Sequence, residues 1–190
     1  MEREKKEKVL VRCFICIELS REAIDYIEEV QQLLKKKNLF YGKFTEPENL
    51  HLTLKFIGEI SEEKVEEVKK KLSEIEFKDF EASLGEVGVF INKYNSILWM
   101  KLNGKRIWDL QEAIDEELLD LDFKKEERFM SHITIARMKK IQNKKEFLEY
   151  VKNIKTKKVK FQVKEFILKK SELKREGPSY TNIEEYSLES

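Results

Sequence analysis

The chain has 190 residues, of which 41% are hydrophobic and 39% charged, with a net charge of +1. That is the size of one domain, or of two small lobes on a shared core. No apolar run nears the roughly 20 residues that cross a bilayer, and the charged start at residues 1–8 lacks the apolar stretch of a signal peptide, so no membrane partner and a cytoplasmic location are expected.

The first element is a β-branched, apolar strand over residues 9–17 that carries Cys13 and Cys16. Residues three apart on a strand point to opposite faces. The two sulfurs should therefore diverge, and with no second cysteine pair for a zinc site the motif reads as two small buried residues. Ser20 then caps a helix in which Ile24, Ile27, Val30, Leu33 and Leu34 recur at helical spacing to about Lys37. A turn region with Gly42 and Pro47 leads to a strand at 50–57. Ser61 caps a second helix, with Val65, Val68, Leu72 and Ile75 on its apolar face. One or two strands follow at 77–91, then a turn at 92–95 and a strand at 97–102. Asn103-Gly104 introduces a helix with Ile107, Leu110, Ile114 and Leu118. The chain closes with a strand at 129–137, a short helix from Asn143, and strands at 159–168 and 180–188 joined by a loop with Gly177-Pro178.

This order repeats itself. Strand, helix, histidine-bearing strand and helix occur twice, with capping residues 10 positions after His51 (Ser61) and 11 after His132 (Asn143). Two copies suggest two similar lobes facing each other, not a solenoid. The expected architecture is α+β: two lobes of antiparallel sheet with outer helices around a central cleft. They form one unit over residues 9–188, preceded by a charged extension at 1–8.

Charge is uneven. Residues 137–175 hold 15 Lys and Arg against 4 Glu, which leaves about −10 for the remainder. Such a stretch is either a solvated lysine-rich surface or a surface that meets phosphates.

The chain has 2 histidines, and both stand in the same setting: His51-Leu52-Thr53-Leu54 and His132-Ile133-Thr134-Ile135. From composition alone, that coincidence is on the order of one in 50,000. On a strand, positions i and i+2 share a face. Each strand thus offers an imidazole and a hydroxyl to one side and anchors itself with apolar residues on the other. Two imidazoles near neutral pH can divide the roles of base and acid, and the hydroxyls can hold non-bridging phosphate oxygens. The set suits a phosphodiester. A metal site needs a carboxylate or a further histidine, and threonine stands two positions on in both motifs, so no metal and no other cofactor are expected.

The runs His51-Leu-Thr-Leu-Lys-Phe-Ile-Gly58 and His132-Ile-Thr-Ile-Ala-Arg137 resemble the paired motifs of the two-histidine (2H) phosphoesterase superfamily. They are most similar to its LigT-like RNA 2′,3′-cyclic phosphodiesterases, also called 2′-5′ RNA ligases. The resemblance runs from Val11 to about Leu188. It includes Arg12-Cys-Phe-Ile-Cys-Ile-Glu-Leu19, Glu48-Asn-Leu50 and the ending Gly177-Pro178-Ser-Tyr180. It implies hydrolysis of an RNA terminal 2′,3′-cyclic phosphate to a 2′-phosphate, with His51 as acid to the 3′ oxygen and His132 as base. Thr53 and Thr134 would bind the phosphate, and RNA ligase activity would be the reverse reaction. Its partners would be RNA ends carrying the cyclic phosphate, tRNA fragments among them, met by a monomer. Arg137 matches a family arginine near the phosphate. Strict alternation would put it on the face opposite His132, unless the strand ends or bulges there. Phe44 and Tyr180 match aromatic positions, suited either to base stacking or to core packing. Two positions depart from the family pattern: Ser131 replaces a proline before the second motif, and Asn95-Ser96 replace an arginine before the strand at 97–102. Two other readings stand beside the main one, a small cyclic-nucleotide phosphodiesterase and a non-catalytic RNA-binding protein.

Overall fold

A computed structural model describes residues 9–92, 96–175 and 177–190. The charged extension at 1–8 and most of the turn expected at 92–95, Asn95 included, lie outside the described residues.

Among the described residues, nine strands and four α-helices follow one another as β1 (Leu10–Glu18), α1 (Arg21–Lys37), β2 (Phe40–Phe44), β3 (His51–Ser61), α2 (Glu62–Leu72), β4 (Phe80–Phe90), β5 (Ser96–Asn103), α3 (Arg106–Glu117), β6 (His132–Ile141), α4 (Lys144–Lys152), β7 (Lys160–Val163), β8 (Glu165–Lys174) and β9 (Gly177–Ser187). All strand pairs are antiparallel, in the order β7-β4-β5-β6-β3-β1-β8-β9, and β2 adds to β6. This is the expected α+β arrangement. Among the described residues no helix is long and apolar enough to cross a membrane.

Three helix starts are fixed by side chains named from sequence. Ser20 Oγ accepts from Ala23 N–H, Ser61 Oγ from Lys64 N–H, and Asn143 Oδ1 from Glu146 N–H. The helices bury their apolar faces against one side of the sheet, where Ile27, Val68, Leu110, Ile114 and Phe147 join the strand residues Ile15, Leu52, Leu98 and Ile133. Cys13 belongs to this core. Cys16 lies across the sheet in a small cluster with Phe14 and Ile167, with Tyr180 packed against it. The two free thiols are thus buried on opposite faces, and burial pushes them up to about 11 and about 12.

The structure departs from the sequence expectations in three places. Residues 40–44 form a strand, not part of a turn, and Gly42 permits it: a Cβ there would lie 2.2 Å from the carbonyl oxygen of Arg137. The strand expected at 159–168 is split into β7 and β8, which pair with β4 and β1 in different lobes. The Gly177-Pro178 loop is the start of β9, paired with Lys174 and Leu173.

Candidate active site

The two histidine strands meet at one residue pair, Leu52 opposite Ile133, the residues that directly follow the histidines. β1 then runs along β3, and β5 along β6. His51 and His132 therefore start from equivalent places on either side of the junction. Both border one cleft of about 840 Å³, together with Thr53, Thr134 and Arg137.

Each histidine strand carries the same irregularity. On β3 the register with β1 steps from Lys55 to Thr53 and passes over Leu54; on β6 the register with β5 steps from Ala136 to Thr134 and passes over Ile135. The extra residue is a β-bulge, and it resets the alternation. Leu54 and Lys55 are both buried, as are Ile135 and Ala136, while Phe56 and Arg137 emerge on the exposed side. This is how Arg137 reaches the cleft five residues after His132. Phe56, equivalent to it on β3, is 71% exposed and also borders the cleft. Sequence reading missed Phe56 because alternation without a bulge hides it.

Both imidazoles are oriented by backbone. His51 Nδ1 lies 2.8 Å from the carbonyl oxygen of Asn49, and His132 Nδ1 lies 2.7 Å from that of Met130. A carbonyl only accepts, so in each ring Nδ1 carries the hydrogen and Nε2 is left for chemistry. His51 Nε2 is 3.1 Å from Thr53 Oγ1. Aromatic rings flank both: Phe14 and, in a T-shaped contact, Tyr180 against His51, and Phe90 in a T-shaped contact with His132. The His51 ring is pulled down to about 4, mainly by burial, against the pull of the Asn49 carbonyl; the Lys169 and Arg137 cations lower it further and Glu18 raises it. Glu18 stands opposite His51 on β1, tied to Lys169 at 2.5 Å. Without a ligand, His51 is neutral at pH 7.

The other candidates divide. Phe44 borders the cleft but packs on Phe40 beneath the Lys35 ammonium. Tyr180 borders the cleft with its ring held against Phe14. Of the lysine-rich stretch 137–175, the residues that border the cleft are Arg137, Ser171 and Leu173. Its lysines are elsewhere, on α4, in the loop to β7, and in pairs such as Lys170 with Glu172. Of the two readings of that stretch, the solvated surface fits its lysines better. The cleft takes its positive charge from Arg12, Lys43, Lys55, Arg128 and Arg137. Lys43 pairs with Glu46 and Lys55 with Asp115, whereas Arg12, Arg128 and Arg137 have no ion pair among the described residues.

Ser131, at the position where the family pattern has proline, is buried. Its hydroxyl donates to the carbonyl of Leu102 at 2.6 Å, which ties the approach to His132 onto β5. Among the described residues no group of three or more His, Cys, Asp and Glu is placed to hold a metal.

Comparisons with known proteins bear on the family and the fold. The model of the LigT-like phosphoesterase family matches residues 17–99 and 102–180. The chain is 33% identical over 183 residues to the RNA 2′,3′-cyclic phosphodiesterase of Methanothermobacter thermautotrophicus, covering 94% of this chain and 99% of that one. It is 33% identical over 178 residues to the enzyme of the same name from Methanocaldococcus jannaschii, covering 93% and 100%. The fold is similar to that of Escherichia coli LigT in its apo form, with a TM-score of 0.76 at 20% identity over 95% of this chain and 99% of that one. Two H-x-T strands with matching bulges on one cleft, and a family match across most of the sequence, lead to one assignment: the chain belongs to the LigT-like phosphoesterase family.

Proposed function

We propose that the protein hydrolyses the 2′,3′-cyclic phosphate at the end of an RNA, leaving a 2′-phosphate, without a metal. The observation that carries this reading is the shared cleft, in which each bulged strand offers an imidazole, a hydroxyl and a cleft-facing residue beyond the bulge. The names of the two relatives point to the same substrate.

In this mechanism the cyclic phosphate sits between the two imidazoles, with the Thr53 and Thr134 hydroxyls and Arg137 on its non-bridging oxygens. His132 takes a proton from the attacking water at Nε2, and the new P–O bond forms as the bond to the ribose 3′ oxygen breaks. His51 gives its Nε2 proton to that oxygen. A phosphate anion about 4 Å from the ring contributes on the order of 4 kcal/mol at an effective dielectric of 20, or about three pKa units. That raises the His51 value from about 4 toward its ordinary range, which favours the protonated ring when substrate is present. Both imidazoles come from one chain, so a monomer suffices. With the 5′ ribose hydroxyl of a second RNA in place of water, the same displacement breaks the bond to the 3′ oxygen and joins the RNA ends through a 2′–5′ linkage.

The free Arg12 and Arg128 favour an RNA chain over a cyclic mononucleotide, since they offer charge for further phosphates. tRNA fragments bearing the cyclic end fall within this class. The test is product analysis from a short RNA ending in a 2′,3′-cyclic phosphate, with and without a chelator. A 2′-phosphate product formed at the same rate in both supports the proposal. A 3′-phosphate, or loss of activity that zinc or manganese restores, overturns it.

A further inference from the structure

The two carbonyls that orient the histidines sit on equivalent loops, and those loops are held differently. The loop before His51 docks directly on the β6 bulge. Thr45 N–H donates to the Ile135 carbonyl at 3.0 Å, the Thr45 hydroxyl donates to the Thr134 carbonyl at 2.8 Å, and the buried Gln31 amide of α1 bridges the carbonyls of Thr45 and Ile135 at 2.9 Å each. The loop before His132 docks on the β3 bulge through side chains. Lys55 stands where β6 has Ala136, and its ammonium donates to the carbonyl of Lys124 at 2.7 Å and to Asp115 of α3. Asp115 Oδ2 in turn accepts from Glu126 N–H at 2.8 Å and from Gln111 Nε2 at 2.7 Å. The side chains of Lys55 and Asp115 are 5% and 3% exposed.

Helix or strand is absent between Phe123 and Ser131, and this run supplies Glu126, Arg128, Phe129 and Met130 to the cleft. Its near end is anchored at Lys124 and Glu126 by the ion pair, its far end at Ser131 by Leu102.

We propose that the buried Lys55–Asp115 pair is a positioning latch for the second histidine. It pins residues 124–126, which sets the path of the chain to Met130. Met130's carbonyl then holds the His132 ring with Nδ1 protonated and Nε2 turned to the phosphate, and Arg128 is kept in the cleft wall. Stability alone does not account for a charged pair here, because a buried ion pair and a well-packed apolar pair of similar volume are often equally stable. An apolar pair would fill the space yet offer nothing to the Lys124 carbonyl or the Glu126 N–H. The inference rests on the reading of His132 as a catalytic group, and its test separates the two.

The chain has 2 histidines, so an imidazole ¹H–¹⁵N spectrum reports each ring on its own. Asp115→Asn removes the charge with little change in shape. The double replacement Lys55→Met with Asp115→Leu removes both charges and keeps the interior filled, so a folded variant is available even if the single one unfolds. The expected result in either folded variant is a His132 signal that moves from one tautomer toward a mixture, with His51 unchanged. Turnover should fall by roughly 10- to 100-fold, as for a misplacement near 1 Å, with a smaller change in KM for a cyclic mononucleotide. Lys55→Arg should keep the His132 signal and most of the turnover. An unchanged His132 spectrum in the folded double variant overturns the latch, as does an equal disturbance of both rings. If instead the spectrum changes as described but His132→Ala retains full turnover, the latch stands and the catalytic reading of His132 fails.

Discussion

Phe56 and Arg137 occupy matching positions on the two histidine strands, each five residues beyond its imidazole and each brought to the cleft by a one-residue bulge. The backbone geometry is repeated while the chemistry differs, an aromatic face on one side and a guanidinium on the other. A terminal nucleotide needs both, a surface for its base and a cation for its phosphate.

Replacing these two residues should separate the two needs. Arg137→Ala removes a charge-assisted contact of about 1.5–3 kcal/mol and should weaken binding of both inorganic phosphate and a cyclic nucleotide by roughly 10- to 100-fold. Phe56→Ala removes a stacking surface of about 1–3 kcal/mol per base and should weaken the nucleotide alone. Inhibition constants for inorganic phosphate and for a 3′-nucleotide, measured on both variants, check this. Equal loss of the two ligands in Phe56→Ala would remove the stacking role.

Salt dependence should follow the unpaired arginines of the cleft and not the lysine-rich stretch. Each phosphate contact to a single strand adds about 0.7 to the slope of log K against log[salt]. For an RNA of several nucleotides, Arg12→Ala or Arg128→Ala should lower that slope by about this amount. Lys144→Glu with Lys145→Glu, on exposed positions of α4, should leave it unchanged. A slope that drops in the α4 variant would return the phosphate-binding role to that stretch.

Local patterns in the sequence made much of this legible. Ser20, Ser61 and Asn143 cap helices because their side chains compete for the first N–H groups whatever the tertiary context, and the H-x-T spacing places imidazole and hydroxyl on one face whatever the strand's neighbours. What stayed hidden depends on distant partners. β2 was masked by Gly42, which reads as a turn until the Arg137 carbonyl is seen against it. The bulges at Leu54 and Ile135 are set by register with β1 and β5, so Phe56 was passed over and Arg137 could be reached only through the family resemblance. Lys55 and Asp115 lie 60 residues apart, and neither shows in local sequence that its charge is buried. The basic stretch was legible as charge but not as geometry: its lysines spread over a helix, loops and three strands.

His51 should make stability depend on pH in a definite window. Its folded-state value is about 4 against an ordinary 6.5, mainly through burial. The unfolded chain therefore takes up a proton first as pH falls. Stability from this group is complete above 6.5, declines from there to about 4, and levels off below. The loss is at most on the order of 3 kcal/mol, less to the extent that the open side of the ring is solvated by the cleft. Urea unfolding of the wild type and His51→Gln between pH 4 and 7 checks the sign, with the wild type losing more on acidification. The imidazole signal of His51 should titrate near pH 4 without ligand and move upward with inorganic phosphate. A His51 signal that titrated near 6.5 in the free protein would remove the burial argument and the ligand-dependent protonation built on it.

The two histidines should act as a unit. Each handles a different proton, so neither replaces the other, and His51→Ala and His132→Ala should each lower turnover by roughly 10²–10⁴ in a folded protein. The double variant should lose less than the product of the single losses, because once one proton transfer is gone the second ring has little left to assist. The wild-type rate should be bell-shaped in pH, since one ring must be neutral while the other is charged, and each single variant should lose one limb. Thr53→Val and Thr134→Val should weaken phosphate positioning and retain two limbs, with the position of both unchanged in Thr134→Val. Thr53 carries the sharper expectation, because its hydroxyl lies against His51 Nε2 in the free protein: Thr53→Val should shift the His51 titration, and Thr134→Val should not. Rate–pH series on these variants, with circular dichroism to confirm folding, decide it. Near-normal turnover with both limbs intact in either alanine variant would overturn the acid–base assignment and move the search to the arginines and carboxylates of the same cleft.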